Sequence, residues 1–262
     1  MIASLAFALS SCQTGKLDVM GDMNKDIEEA SAVETSTGSS LLWVIEDAGN
    51  QARVFGLDGK GNVEKVLNVE NAKNNDWEDL TSDDSGNLYI GDFGNNSEKR
   101  KTFAILKISN VNEAKGATKA SVINFTLPKG VKSKDFEAFF LYGDSFYIFS
   151  KERKKAVVIK VPNRIGLHRA ELVSKYHLKG KDTKVTSADI SSDGKTIILL
   201  NHDSIWELTN FEGDAFFKGT IKKIELEHDS QKEGVCFKGD DTLYMTDERN
   251  KSDGGNIYRF KL

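Results

Sequence analysis

A chain of 262 residues, 39% hydrophobic and 29% charged with only two prolines, is long enough to bury one large core and too apolar to stay disordered. Its formal charge of −4 and pI near 5.7 supply no basic surface for phosphate backbones or anionic headgroups, so no nucleic acid partner is expected.

The N-terminal residues speak to address. Residues 1–11 carry no charge, fall short of the about 20 apolar residues that span a bilayer, and end in small residues before Cys12. Leu9-Ser10-Ser11-Cys12 resembles the lipobox of bacterial lipoproteins, whose cysteine thiol is lipidated and becomes the mature N-terminus. The resemblance implies a signal peptide over 1–11, lipidation at Cys12, and a tether with a closing strand over 12–25. It also implies a cell-envelope location, periplasmic or outer-membrane, with membrane contact through the lipid anchor only. A buried apolar strand ending in a free cysteine is the alternative. Cys236 lies in the apolar run Gly234 to Phe237 and is expected to pack as a small hydrophobe without a disulfide partner.

From residue 26 to 262 one unit recurs five times. Its copies open at Glu29-Ala30-Ser31, Glu78-Asp79-Leu80, Glu137-Ala138-Phe139, Ser187-Ala188-Asp189 and Glu233-Gly234-Val235, at spacings of 46 to 59 residues, in the range of propeller blades. Each opening leads into a turn such as Asp84-Ser85-Gly86-Asn87 or Asp193-Gly194-Lys195, then a β-branched or aromatic strand. These second strands are Leu41 to Ile45, Leu88 to Ile90, Phe146 to Phe149, Thr196 to Leu200 and Leu243 to Met245. Third strands follow in every copy, and fourth strands follow in the first four, at Val63 to Val69, Ser121 to Leu127, Leu172 to Leu178 and Ile221 to Leu226.

The fifth copy stops after three strands at Leu262, so its outer strand must come from elsewhere. A segment around Lys16 to Gly21 can supply it and close the ring, which removes open sheet edges. The expected fold is therefore all-β, a five-bladed β-propeller closed by an N-terminal strand. Six blades is the alternative, if the tether or the connection from Asn110 to Ala120 hides another sheet.

In such a ring the strand openings and the exits of the second strands share one face. That places Glu29, Glu78, Glu137 and Glu233 around one channel mouth as candidate metal ligands. Carboxylates crowded in a low-dielectric throat either hold protons or demand a cation, and hard oxygen donors favour calcium. The exit clusters supply candidate ligand-binding residues: Asp47 and Asn50, Asp92 and Asn95, Lys151, Glu152 and Arg153, and Asp247, Glu248 and Arg249. Asp47 and Asp92 each open an Asp-x-Gly-Asn motif. His202 lies in the same mouth and is the one candidate general base, a weak one without a positioned substrate. The competing reading of the acidic ring is structural, with each glutamate bonding backbone N–H groups of the next blade. No zinc-ligand spacing, nucleophile elbow or phosphate-binding glycine loop occurs.

Taken in order, Asp76-Trp77-Glu78-Asp79-Leu80, Asp92-Phe93-Gly94-Asn95-Asn96, Asp135-Phe136-Glu137-Ala138, Thr186-Ser187-Ala188-Asp189 and Glu233-Gly234-Val235 resemble the blocks of a family of bacterial exported β-propellers of mostly undefined biochemical role. More distantly the arrangement is similar to phytase-like esterase and gluconolactonase-type propellers, whose metal sits at the channel mouth. Three functions stay open: an envelope propeller binding a small polar ligand or an envelope protein at a calcium-organised mouth; a metal-dependent hydrolase of phosphoesters or lactones; and a protein-interaction scaffold.

Overall fold

The computed structural model describes residues 14–251 and 253–262; the expected signal peptide and Cys12 lie outside the described residues. Five antiparallel sheets stand around a central axis. Blade 1 runs outward through Ala30–Glu34, Leu42–Glu46, Arg53–Leu57 and Val63–Val69, and blade 2 through Trp77–Ser82, Leu88–Asp92, Thr102–Ile108 and Ser121–Thr126. Blade 3 comprises Phe136–Tyr142, Ser145–Ser150, Ala156–Pro162 and Glu171–Tyr176; blade 4, Ser187–Ile190, Ile197–Leu200, Ser204–Thr209 and Thr220–Glu225. Blade 5 takes Lys232–Phe237, Thr242–Asp247 and Asn256–Lys261 from the C-terminus and Asp18–Asp22 from the N-terminus. A five-bladed propeller with N-terminal closure is the result.

Each sheet is sandwiched between two others, so both of its faces are buried and its inner strands read as continuous apolar runs rather than alternating ones. Ile197–Leu200, for instance, is buried at every position. Five apolar clusters fill the five gaps between blades. Trp43 and Ile45 meet Trp77 and Ile90 between blades 1 and 2, and Phe140 and Phe149 meet Leu199 and Trp206 between blades 3 and 4. The gap between blades 2 and 3 is aromatic: Phe139 lies edge-on to Phe93 at 5.2 Å, and Phe146 to Tyr89 at 5.0 Å. Cys236 is fully buried in the last gap, against Val33 and Ile257.

The closing strand pairs Asp18 with Arg259 and Asp22 with Asn256. Arg249 locks it, donating to Met23 O at 2.7 Å and to the Asp22 carboxylate at 2.5 Å. The long connection after blade 2's third strand hides no sixth blade. Its residues Ala117–Thr118 pair in parallel with the outer strand of blade 1, and Gly166–Arg169 does the same for blade 2. Each connection thus covers the outer edge of the preceding sheet and removes its unpaired backbone from solvent. Among the described residues no helix is long and apolar enough to cross a membrane.

Candidate functional site

The channel mouth is built by a repeated irregularity. Where the inner strands of blades 1, 2, 3 and 5 begin, one extra residue interrupts the pairing with the second strand: Ser31, Glu78, Glu137 and Glu233. Such a bulge turns its side chain out of the sheet's regular alternation. In blade 4 the N–H of Thr186 reaches Leu200 O beside the Ser187–Leu200 pair, so Thr186 takes the corresponding place. This register corrects two of the five copy openings read from the sequence. Ser31, not Glu29, stands where Glu78 stands, and Thr186, not Ser187, completes the tier.

The two hydroxyls fasten blades together, Ser31 Oγ donating to Trp77 O at 3.0 Å and Thr186 Oγ1 to Lys232 O at 2.8 Å. The three glutamates remain as a buried acidic tier, 6%, 3% and 7% exposed at Glu78, Glu137 and Glu233. Glu29 lies outside the tier on the exposed rim, where it accepts from Asn50 Nδ2 at 2.7 Å.

A second tier sits above the first. The N–H groups of Asp47, Gly94, Lys151 and Glu248 bond the carbonyls of Glu29, Asp76, Asp135 and Gln231, which brings the side chains of Asp47, Lys151 and Glu248 over the glutamates. Blade 2 has no side chain at this place. A Cβ on Gly94 would collide with Glu78 Oε1 and with the Asp76 carboxyl group, so the glycine leaves the room that those two carboxylates occupy. Asp47, from the exit of blade 1's second strand, and Asp76 and Glu78, from the opening of blade 2's inner strand, thereby converge, one ligand oxygen of each lying within 4.8 Å of the others. Asp76 had no candidate role in the sequence; its signal was its place two residues ahead of Glu78.

Charge in the mouth is poorly balanced. Lys151 Nζ lies 2.8 Å from Glu137 Oε2, and His202 Nε2 lies 3.1 Å from Glu233 Oε1. Burial, then the charge of Asp47, raises Asp76 to about 6. Burial raises Glu137 to about 8, with Asp135 and Glu233 opposing the relief that Lys151 gives. Glu78 is pushed well up by burial and by Glu137, with which it shares a hydrogen bond. Burial and Glu233 take Glu248 to about 7, and burial chiefly raises Asp47. His202 is raised by its hydrogen bond to Glu233, which favours the imidazolium and leaves less neutral imidazole to take a proton.

The other candidates are held in the framework. Asp92 pairs with Arg100 at 2.9 Å and Asn75 at 2.6 Å. The Asp-x-Gly-Asn motifs do not superpose: Trp77 pairs with Asp92 while Ala30 pairs with Glu46, so Asp92 stands at the place of Glu46. Phe93 is an extra residue ahead of Gly94, which stands at the place of Asp47. Asn95 ties Ser133 and Lys134 to the turn at Lys99 and Arg100. Glu152 bonds Ser150 and Lys134, and exposed Arg153 lies 3.8 Å from Asp182. Asp247 is fully buried beneath the mouth, accepting from Tyr258 Oη and Asn256 N at 2.7 Å each. Arg249 serves the closing strand.

Below the acidic tier Asp79 plugs the channel. It is wholly buried and accepts four hydrogen bonds, from Leu80 N, Phe139 N, Ala188 N and Ser187 Oγ.

No family model matches the chain, and no curated protein matches its sequence. Solved structures match its fold. The PQQ-bound form of an aldose sugar dehydrogenase from Streptomyces coelicolor superposes with a TM-score of 0.57 at 10% identity, covering 94% of this chain and 98% of that one. The Cps50 (Swd1) β-propeller domain of Myceliophteria thermophila gives 0.49 at 10% identity, over 94% and 99%. At 10% identity the likeness to the dehydrogenase is one of fold.

Proposed function

We propose that this chain is a lipid-anchored cell-envelope propeller whose channel mouth binds calcium and, through it, a small polar ligand or an envelope protein. The observation that carries the reading is the convergence of Asp47, Asp76 and Glu78. Oxygens around a calcium ion at about 2.3–2.6 Å lie at most about 5 Å apart, which suits these three. The donors are all hard carboxylate oxygens, which suit calcium or magnesium and not zinc. Raised carboxyl groups that no side-chain cation fully neutralises supply the driving force.

Calcium would sit between blades 1 and 2 and organise the mouth, with Lys151 and His202 on its far side as donors to an anionic or hydroxylated ligand. A metal-dependent hydrolase of phosphoesters or lactones has one specific support, the contact of His202 with Glu233. That same contact biases the imidazole toward its charged form, so binding is the better-supported reading. The scaffold reading has no comparable support.

Calorimetric titration of the chelator-treated protein with calcium tests the proposal, together with diffraction from calcium-soaked crystals. Saturable binding of one ion among Asp47, Asp76 and Glu78 is the expected result; no heat and an ion-free mouth would refute it. Turnover of a phosphoester or lactone in calcium would restore the hydrolase. Anchoring is tested separately, by incorporation of labelled fatty acid that is lost in Cys12→Ala.

A further inference from the structure

At the other end of the channel the turns between inner and second strands enclose a cavity of about 490 Å³, within the about 300–1,000 Å³ typical of small-molecule sites. Five carboxylates line it, Glu34, Asp83, Asp84, Asp189 and Asp193, and no lysine, arginine or histidine does. Most are already engaged. Asp83 holds Asn87 and the Tyr89 hydroxyl, Asp193 holds its own turn, and both oxygens of Asp189 accept backbone N–H groups, from Ile190 at 2.8 Å and Phe237 at 2.7 Å.

Glu34 differs. It is 4% exposed, and Thr35 engages only its Oε1, through the backbone N–H at 2.7 Å and the hydroxyl at 3.4 Å. No donor among the described residues reaches Oε2. An acid buried on the wall of a cavity with one oxygen unengaged has a place for a cation; burial together with Asp189 holds it well above the ordinary carboxylate range, so an entering cation takes the place of its proton.

We propose that this cavity is a second binding site, for a small aliphatic amine such as a diamine or triamine, with Glu34 Oε2 taking its ammonium group. A bare metal ion fits less well, because Glu34 offers a single buried unengaged oxygen, Asp84 and Asp193 face solvent, and the space far exceeds one ion. An ammonium group needs few acceptors and tolerates oxygens that already carry a hydrogen bond. Tyr142 adds an aromatic face for a cation, and Leu141, Ile190 and Phe237 add apolar wall for a methylene chain.

Calorimetric titration of the full chain with spermidine and with putrescine tests this, with sorbitol and calcium chloride as separate titrants. Saturable 1:1 binding of an amine and none of sorbitol is expected. Glu34→Gln is expected to weaken it at least tenfold, and Asp76→Asn, at the opposite mouth, to leave it within twofold. Ser192→Arg and Thr37→Lys place a cation on the exposed rim without touching the core, so they serve if Glu34→Gln does not fold; each is expected to weaken binding several-fold. Absence of saturable amine binding overturns the proposal. So does affinity indifferent to the rim variants, competition by calcium at this site, or loss of binding in Asp76→Asn.

Discussion

Ser187 donates its hydroxyl to Asp79 Oδ1 at 2.9 Å, joining blade 4 to blade 2 across the axis although the two blades are not neighbours. The same hydroxyl accepts from Val235 N in blade 5, and Asp79 Oδ2 accepts from blades 3 and 4. One carboxylate and one hydroxyl therefore stitch four blades together at the axis.

Asp79→Asn is the sharpest probe of that stitch. Each carboxylate oxygen faces a backbone N–H, so the amide NH2 must point at a donor whichever way the side chain turns. A buried donor facing a donor costs about 1–3 kcal/mol. Urea denaturation is expected to show a loss of that size with an unchanged slope; a loss under about 0.5 kcal/mol, the range of a neutral surface change, would contradict the role.

The mouth sets a pH dependence whose sign can be worked out. Asp76, Glu248 and Glu137 titrate at about 6, 7 and 8 in the folded chain, against ordinary values of 3.8, 4.5 and 4.5. The folded state thus keeps protons that the unfolded chain gives up. Their stabilising contribution is complete below the unfolded values and is lost as pH rises through 6 to 8. Lys232, lowered to about 8 by burial, adds a pH-dependent contribution of opposite slope only above that value. In chelator the melting temperature is expected to fall between pH 5 and 7.5, and calcium is expected to flatten the fall by stabilising the ionised forms. Thermal melts across that range, with and without calcium, check it; a flat or rising curve in chelator would count against it.

Ring closure depends on a close approach. A Cβ on Gly21 in the closing strand would press into the backbone of Lys60, whereas one on Gly59 meets nothing. Gly21→Ala is expected to cost about 1–3 kcal/mol, as overpacking does, and Gly59→Ala to stay within about 0.5 kcal/mol. Equal melting temperatures for the two variants would show that the closing strand adjusts freely.

What the sequence showed and what it hid follow from different physics. Blade number and closure were legible because sheets buried on both faces write unbroken apolar runs such as Phe146 to Phe149, and because four copies show four strands and the fifth three, the missing one being matched by the segment that pairs with Asn256–Lys261. The mouth was legible only as a region. A bulge adds one residue without changing the residue types around it, so Ser31 and Glu29 could not be told apart as the partner of Glu78. Nor does the shared Asp-x-Gly-Asn pattern show that Asp47 stands in the mouth and Asp92 on Arg100, because the register of the second strand, not residue type, sets that difference. The lower cavity left no signal, since Asp83 and Asp193 are ordinary turn residues and only the packing of the blades makes their turns a wall.

Glu29 and Asp76 separate the two versions of the cation site. Both are acidic residues at the same repeat position, one ahead of an inner strand. Glu29 is exposed and engaged with Asn50, while Asp76 is half-buried against Glu78 and raised to about 6 by burial and by Asp47. A ligand carboxylate in the first coordination sphere of a cation replaced by a neutral amide loses its charge and should cost at least tenfold in affinity, about 1.4 kcal/mol. Asp76→Asn is therefore expected to weaken calcium binding by that factor or more, and Glu29→Gln to leave it within twofold, as measured by calorimetric titration at pH 7.5. If Glu29→Gln proved the more damaging, the ion would belong on the rim, and the site formed by Asp47, Asp76 and Glu78 would be a proton-sharing cluster only.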